Sequence, residues 1–184
     1  MASQARLLMK YYNLEIAGLK RKLPIVTLGP KVKVASFNLL GDRELVGVLA
    51  QKIVEKLKEI EFDYLIGPEA KVVPLLHELC RLLGKKRYVV CRKKVHGYMV
   101  SPLKSKRKPT LVLDGADLVF LEGKKVVVVD DVVSSGRTMQ AIDELMEQAG
   151  VQVVARLAVF RQGKKAAQEV DDLIFLDELP LFGS

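Results

Sequence analysis

The chain has 184 residues, 49% hydrophobic and 28% charged, proportions that suit one domain around one substantial core and exclude a wholly disordered chain. Thirty Lys and Arg against 22 Asp and Glu leave a net charge of +8, which favours anionic partners: nucleic acid, phosphorylated metabolites or an acidic membrane surface. No apolar run reaches membrane-spanning length and no apolar N-terminal stretch precedes a small-residue cleavage site, so a cytoplasmic protein without membrane contact is expected. Cys80 and Cys91 form neither a CxxC pair nor a disulfide framework, and only His77 and His96 stand beside them as zinc ligands. Both cysteines read as packing groups.

The sequence contains no internal repeat or long linker, and one continuous domain over residues 1–184 is the simplest organisation. Residues 3–16 read as a helix; residues 24–27 and 32–37 read as extended segments around Gly29-Pro30, a hairpin. From Asp42, an N-cap, the apolar positions Leu45, Val46, Leu49, Ile53, Val54, Leu57 and Ile60 follow helical spacing. Tyr64-Leu65-Ile66 is a short strand entering Gly67-Pro68-Glu69-Ala70-Lys71, and residues 72–83 resume a helix that Gly84 ends. Residues 88–91 supply another strand. After the basic cluster at 104–108, residues 110–113 and Asp114-Gly115 read as an extended arm with a turn. The valines of residues 125–129 read as a strand buried on both faces and ending at Asp130-Asp131, followed by a helix over 137–148, a strand over 151–160 and a last one at 173–175. This alternation predicts an α/β fold, a central parallel sheet flanked by helices, with ligands gathered beyond the carboxyl ends of its strands.

Residues 126–138, VVVVDDVVSSGRT, concentrate the chemistry. Two adjacent carboxylates at the mouth of a buried strand need hydroxyl donors, cations or water, and a ribose diol supplies such donors. An isolated Asp-Asp pair also suits an N-cap beside a solvated carboxylate. The following loop opens onto a helix N-terminus, where free backbone N–H groups favour a phosphate; Gly136 permits close approach and Ser134, Ser135 and Thr138 add hydroxyls. The segment lacks the Gly-Lys-Ser/Thr of a Walker loop and the GxGxxG of a dinucleotide site.

On these residues the chain resembles the type I phosphoribosyltransferases, and over most of its length their adenine phosphoribosyltransferase-like branch. The resemblance implies a hood over residues 1–40, a mobile β-arm over 92–115, and a homodimer. It implies that Asp130 and Asp131 hold the ribose hydroxyls of 5-phosphoribosyl 1-pyrophosphate (PRPP) and act in catalysis, while Ser134, Ser135, Gly136, Arg137 and Thr138 grip its 5′-phosphate. Glu69, Ala70 and Lys71, with Arg92 and Lys93, then face the pyrophosphate, and Lys71 stands where the branch usually has Arg, a point charge in place of a fork. Val32, Val34, Phe37 and Val132 are implied base contacts, although the apolar residues of 32–37 equally suit a core. His96, Tyr98 and Met99 read as surface or packing residues. The implied reaction is phosphoribosyl transfer from PRPP to a purine, adenine first, in purine salvage, with Mg²⁺ carried mainly by substrate oxygens rather than by a protein metal site.

Two departures keep alternatives open. The branch places a glutamate in the arm near the reacting base nitrogen, whereas residues 104–108 here are KSKRK. The 6-oxopurine (xanthine or hypoxanthine) enzymes commonly carry an Asp in the phosphate loop, and this loop has Ser134. A different class, a PRPP-sensing regulator that binds nucleic acid through its basic surface, accounts for the missing glutamate and the +8 charge.

Overall fold

A computed structural model of the chain describes residues 10–30, 32–163, 170 and 172–183. The helix expected over residues 3–16 is a strand from Tyr11 onward, β1 (Tyr11–Ile16), and residues 3–9 lie outside the described residues. The reason is periodicity: Leu14 and Ile16 are buried while Asn13 and Glu15 are exposed, the two-residue alternation of a half-buried strand. Ala17 and Gly18, both at positive φ, turn the chain into β2 (Leu19–Gly29), longer than expected, and β2 pairs antiparallel with β3 (Val32–Ala35) as the predicted hairpin.

Helix α1 (Arg43–Leu57) starts at Asp42, whose Oδ1 accepts the Leu45 N–H at 3.1 Å. The same carboxylate accepts Arg21 Nε of β2 at 2.7 Å, so the helix cap also ties down the hood; such a cap contributes about 1 kcal/mol. Next come β4 (Tyr64–Pro68), α2 (Val73–Leu82), β5 (Tyr88–Cys91), and the short arm strands β6 (Leu103–Lys104) and β7 (Val112–Leu113), which pair antiparallel. Asp114-Gly115 is not a turn between arm strands but the start of a helix, α3 (Gly115–Leu121): Asp114 Oδ1 accepts the Ala116 N–H at 3.1 Å and caps it.

Strand β8 (Lys125–Val133) does not end at Asp130 as expected; it runs through both carboxylates before α4 (Arg137–Gln148), β9 (Gln152–Gln162) and β10 (Leu173–Leu179). A strand absent from the sequence reading, β11 (Leu181–Gly183), pairs antiparallel with β3 and makes the C-terminal segment part of the hood sheet, β1-β2-β3-β11. The central sheet has the order β10-β9-β8-β4-β5 and every neighbouring pair is parallel. Among the described residues no helix is long and apolar enough to cross a membrane.

The valine run explains the layering. Val127 and Val129 enter one core with α1, α2 and the hood residues Leu14, Leu23 and Phe37; Val126 and Val128 enter the other with α4 residues Met139, Ile142 and Leu145 and the arm residues Leu111 and Leu113. Period-two side-chain direction thus fills both faces from one uninterrupted stretch. Cys80 and Cys91 are buried and free, and burial pushes the Cys91 thiol up to about 12, which leaves it inert as the packing reading requires.

The hood is fixed to the sheet through Phe37, 2% exposed, whose ring meets Phe160 of β9 edge to face at 4.7 Å between centroids. Truncation to Phe37→Ala is expected to lower unfolding stability by about 3–5 kcal/mol, the range for deleting a buried aromatic ring. Urea denaturation checks it: a midpoint within error of the parent would show that this ring does not carry the hood.

Candidate active site

The site is built where two central strands part. β4 pairs with β8 only from Tyr64↔Val126 to Ile66↔Val128, while β4 continues beside β5 to Pro68↔Cys91. The crossover after β4, through α2, leads to β5 on one side; the crossover after β8, through α4, leads to β9 on the other. Oppositely directed crossovers open a crevice at the carboxyl ends of the two strands. Gly67 makes the approach possible, because a Cβ there would lie 2.5 Å from Val129 O. A cleft of about 430 Å³ results, lined by residues of the Pro68–Val72 turn, by Lys93, Pro109, Thr110 and Leu111, and by Asp130, Asp131, Val132 and Thr138. A larger groove of about 840 Å³ lies between α1 and α2, but it contains neither the carboxylate pair nor the loop at α4, so chemistry and not size locates the site.

Asp130 and Asp131 are 7% and 9% exposed. Asp130 Oδ1 accepts the Asp131 N–H at 2.8 Å and Asp131 Oδ1 accepts the Val132 N–H at 3.0 Å. Asp131 Oδ2 is buried and accepts no hydrogen bond, with the Lys71 ammonium 3.9 Å away. Burial, and then the neighbouring Asp131 charge, push the Asp130 carboxyl well above the usual carboxylate range.

On one side of the pair, Ser134, Ser135, Gly136, Arg137 and Thr138 enclose a small recess of about 40 Å³ together with Asp130, Val132, Val133 and Met139. Gly136 is the N-cap of α4 at φ 69°, a left-handed conformation that an L side chain rarely adopts, and it supplies no side-chain cap. The first N–H groups of α4 are therefore left to an anion in the recess.

On the other side lies the cationic wall. Lys71 Nζ donates to Phe37 O at 2.9 Å and stands 3.9 Å from Asp131 Oδ2, so one ammonium spans the hood backbone and the carboxylate pair. Arg92 Nε lies 2.5 Å from Glu69 Oε2, and the Lys93 N–H reaches Glu69 Oε1 at 2.8 Å. Burial alone would raise Glu69, but the Lys93 N–H and the Arg92 guanidinium outweigh it and hold the carboxyl below its ordinary value. Glu69 thus orients the Arg92 guanidinium and fixes the Lys93 backbone, while Ala70 stands between it and Lys71 on the cleft wall. His96 Nε2 is 3.4 Å from Arg92 Nη2 and its ring stacks on exposed Tyr98 at 5.3 Å.

The four residues singled out as base contacts separate. Val132 lines both recess and cleft, and Val32 is 43% exposed on the hood. Val34 is buried and Phe37 is engaged with Phe160, so these two side chains serve the core, and what Phe37 presents toward the site is its carbonyl, held by Lys71. Sequence reading did not place Pro109, Thr110 and Leu111 at the cleft; the only signal was the return of apolar and hydroxylated residues directly after the basic cluster.

A family profile described as the phosphoribosyl transferase domain matches residues 42–182. The adenine phosphoribosyltransferase of Thermosipho africanus is 34% identical over 124 residues, covering 64% of this chain and 69% of that protein. The hypoxanthine/guanine phosphoribosyltransferase of Methanothermococcus okinawensis is 29% identical over 149 residues, covering 75% and 78%. A solved adenine phosphoribosyltransferase from Thermoanaerobacter pseudethanolicus superposes with a TM-score of 0.68 over 97% of this chain and 99% of that one at 21% identity, a likeness of fold. With the crevice at its strand parting and a profile match across most of its length, the chain belongs to the phosphoribosyl transferase domain family and has the type I phosphoribosyltransferase fold.

Proposed function

We propose that the chain transfers the 5-phosphoribosyl group from PRPP to a ring nitrogen of a purine, adenine first, releasing pyrophosphate and forming a nucleoside 5′-monophosphate. One observation carries the reading: the Asp130-Asp131 pair borders both an anion recess at α4 and a cleft whose wall carries the cations Lys71 and Lys93, with Lys71 Nζ 3.9 Å from Asp131 Oδ2. A sugar bearing phosphate at C5′ and pyrophosphate at C1′ has that order of charge and hydroxyl groups. In the transfer the C1′–O bond to pyrophosphate breaks with its electron pair leaving on the pyrophosphate, the base nitrogen bonds to C1′, and the proton of that nitrogen passes to the released pyrophosphate or to water. The cations stabilise the charge on the leaving group, and the carboxylates hold the diol and offset positive charge that builds on the ring.

The residues present fit a divalent cation carried by the substrate. Asp130 and Asp131 both line the cleft and Asp131 Oδ2 accepts no hydrogen bond, so a cation held by the substrate would meet carboxylates there. When bound, Mg²⁺ supplies charge neutralisation of the diol and pyrophosphate oxygens. Asp130 and Asp131 would face it from the protein side. The reading includes purine salvage in the cytoplasm and a homodimer, as the family resemblance implies.

Adenine stands first because the loop carries Ser134 where 6-oxopurine enzymes commonly have Asp, and because several relatives are adenine phosphoribosyltransferases. With Mg²⁺ and PRPP, the purified chain is expected to form nucleotide fastest from adenine among adenine, hypoxanthine, guanine, xanthine and uracil. PRPP binding with no nucleotide from any base would instead support the sensor reading. The isosteric Asp131→Asn is expected to cut kcat/KM at least about a hundredfold, the scale for removing one preorganised electrostatic group; turnover near the parent's would refute its role.

Asp130 gives a prediction of opposite sign for stability. Because its folded pKa is raised, the folded state prefers the protonated carboxyl. The resulting cost is absent below the unfolded value of about 3.9 and is complete once pH has risen past the folded value. Asp130→Asn removes that cost, so thermal unfolding should show the variant gaining on the parent as pH rises from about 4, with no gain below. It should also lose turnover. An equal shift at every pH would exclude this origin.

A further inference from the structure

The arm is seated on α4. The Lys106 N–H points at the Glu144 carboxylate, 3.0 Å from Oε1 and 3.1 Å from Oε2, and the Arg107 N–H reaches Oε2 at 3.0 Å. Gln148 Nε2, one turn along α4, donates to Oε1 at 3.2 Å and orients the carboxylate. The neck of the same loop is closed by Ser105, 4% exposed: its N–H donates to Leu111 O at 2.9 Å and its Oγ accepts the Leu111 N–H at 2.9 Å. The loop is therefore pinned at neck and tip, and Pro109, Thr110 and Leu111, where it returns to the neck, line the cleft beside Asp130, Asp131 and Thr138.

The charge pattern calls for such a clamp. Lys104, Lys106, Arg107 and Lys108 are all exposed and crowd four cations into five residues, which repel one another. Glu144 sets one anion against them and satisfies two backbone donors of the tip, and those N–H groups hold its own carboxyl below the ordinary value. Both carboxylate oxygens are used, so the amide of a glutamine would turn a donor toward a donor at one of them. Since α4 also presents its N-terminus to the anion recess, the arm wall and the phosphate end of the site are mounted on one helix.

We propose that Glu144 is a positioning residue for phosphoribosyl transfer, holding the arm loop on α4 so that residues 109–111 stand as one wall of the sugar cleft. The proposal rests on the reading of that cleft as the PRPP site. It gives the arm glutamate absent from residues 104–108 no substitute in the chemistry; Glu144 acts on the loop and not on the reacting atoms.

The test uses the full chain and Glu144→Gln, with Glu144→Ala as the stronger lesion and circular dichroism to verify that both fold. Hydrogen exchange at the Lys106 and Arg107 amides should speed up about tenfold in Glu144→Gln, as expected for releasing a locally held loop. KM for PRPP should rise about three- to tenfold with kcat within about twofold, because a displaced wall weakens binding of the sugar without altering the reacting groups. Unchanged exchange would overturn the clamp. Faster exchange with KM and kcat both unchanged would reduce Glu144 to a structural contact and overturn its positioning role. If the parent makes no nucleotide from any base, the proposed reaction fails, and the inference is then read from PRPP affinity by calorimetry: weakening in Glu144→Gln sustains it and equal affinity overturns it. If Glu144→Ala does not fold, Glu144→Gln decides.

Discussion

The site depends on the point at which β8 loses β4 as a hydrogen-bonding neighbour. Pairing ends at Ile66↔Val128, yet β8 continues beside β9 as far as Val133↔Arg161. The backbone that carries Asp130 and Asp131 is thus held on one side and open on the other. Had β4 stayed paired with β8 to its end, no crevice would open beside the backbone of Asp130 and Asp131. Gly67 lets the β4 backbone stay close to β8 up to that point, since a Cβ there would lie 2.5 Å from the Val129 carbonyl oxygen.

Electrostatics then divides the crevice. The N-terminus of α4 and the cationic wall of Lys71 and Lys93 favour anions at two ends, and the carboxylate pair between them disfavours anions in the middle. The proposed sugar substrate presents its groups in the matching order. The carboxylates are costly to the fold, as the raised pKa of Asp130 indicates, and the supporting contacts are arranged around them: Lys71 bridges Asp131 to the hood carbonyl of Phe37, and Glu69 keeps Arg92 and Lys93 together.

Much of this was legible along the chain. The Asp42 cap, the α1 spacing, the exact bounds of β5 and α4, and the loop from Ser134 to Thr138 are local signals, each set by residues within one or two turns of one another. The failures were of two physical kinds. Residues 11–16 read as helix because apolar side chains at short spacings serve either period, and only pairing with β2 settles the choice. Asp114-Gly115 read as a turn because a helix N-cap and a turn use the same residue types, and the cap is distinguished by what Leu118 and Leu121 then pack against.

By itself the sequence determined the class of chemistry: a doubled carboxylate on a valine strand, a small-residue loop and a helix start are contiguous, and contiguous residues need no fold to bring them together. Tertiary structure alone decided which distant groups face that segment. It withdrew the Phe37 ring into the core while leaving its carbonyl to Lys71, brought Thr110 and Leu111 to the cleft, and set Glu144 under the arm 37 and 38 residues away in the chain. Such contacts follow from how the two layers pack on the sheet, and no periodicity within a segment encodes them.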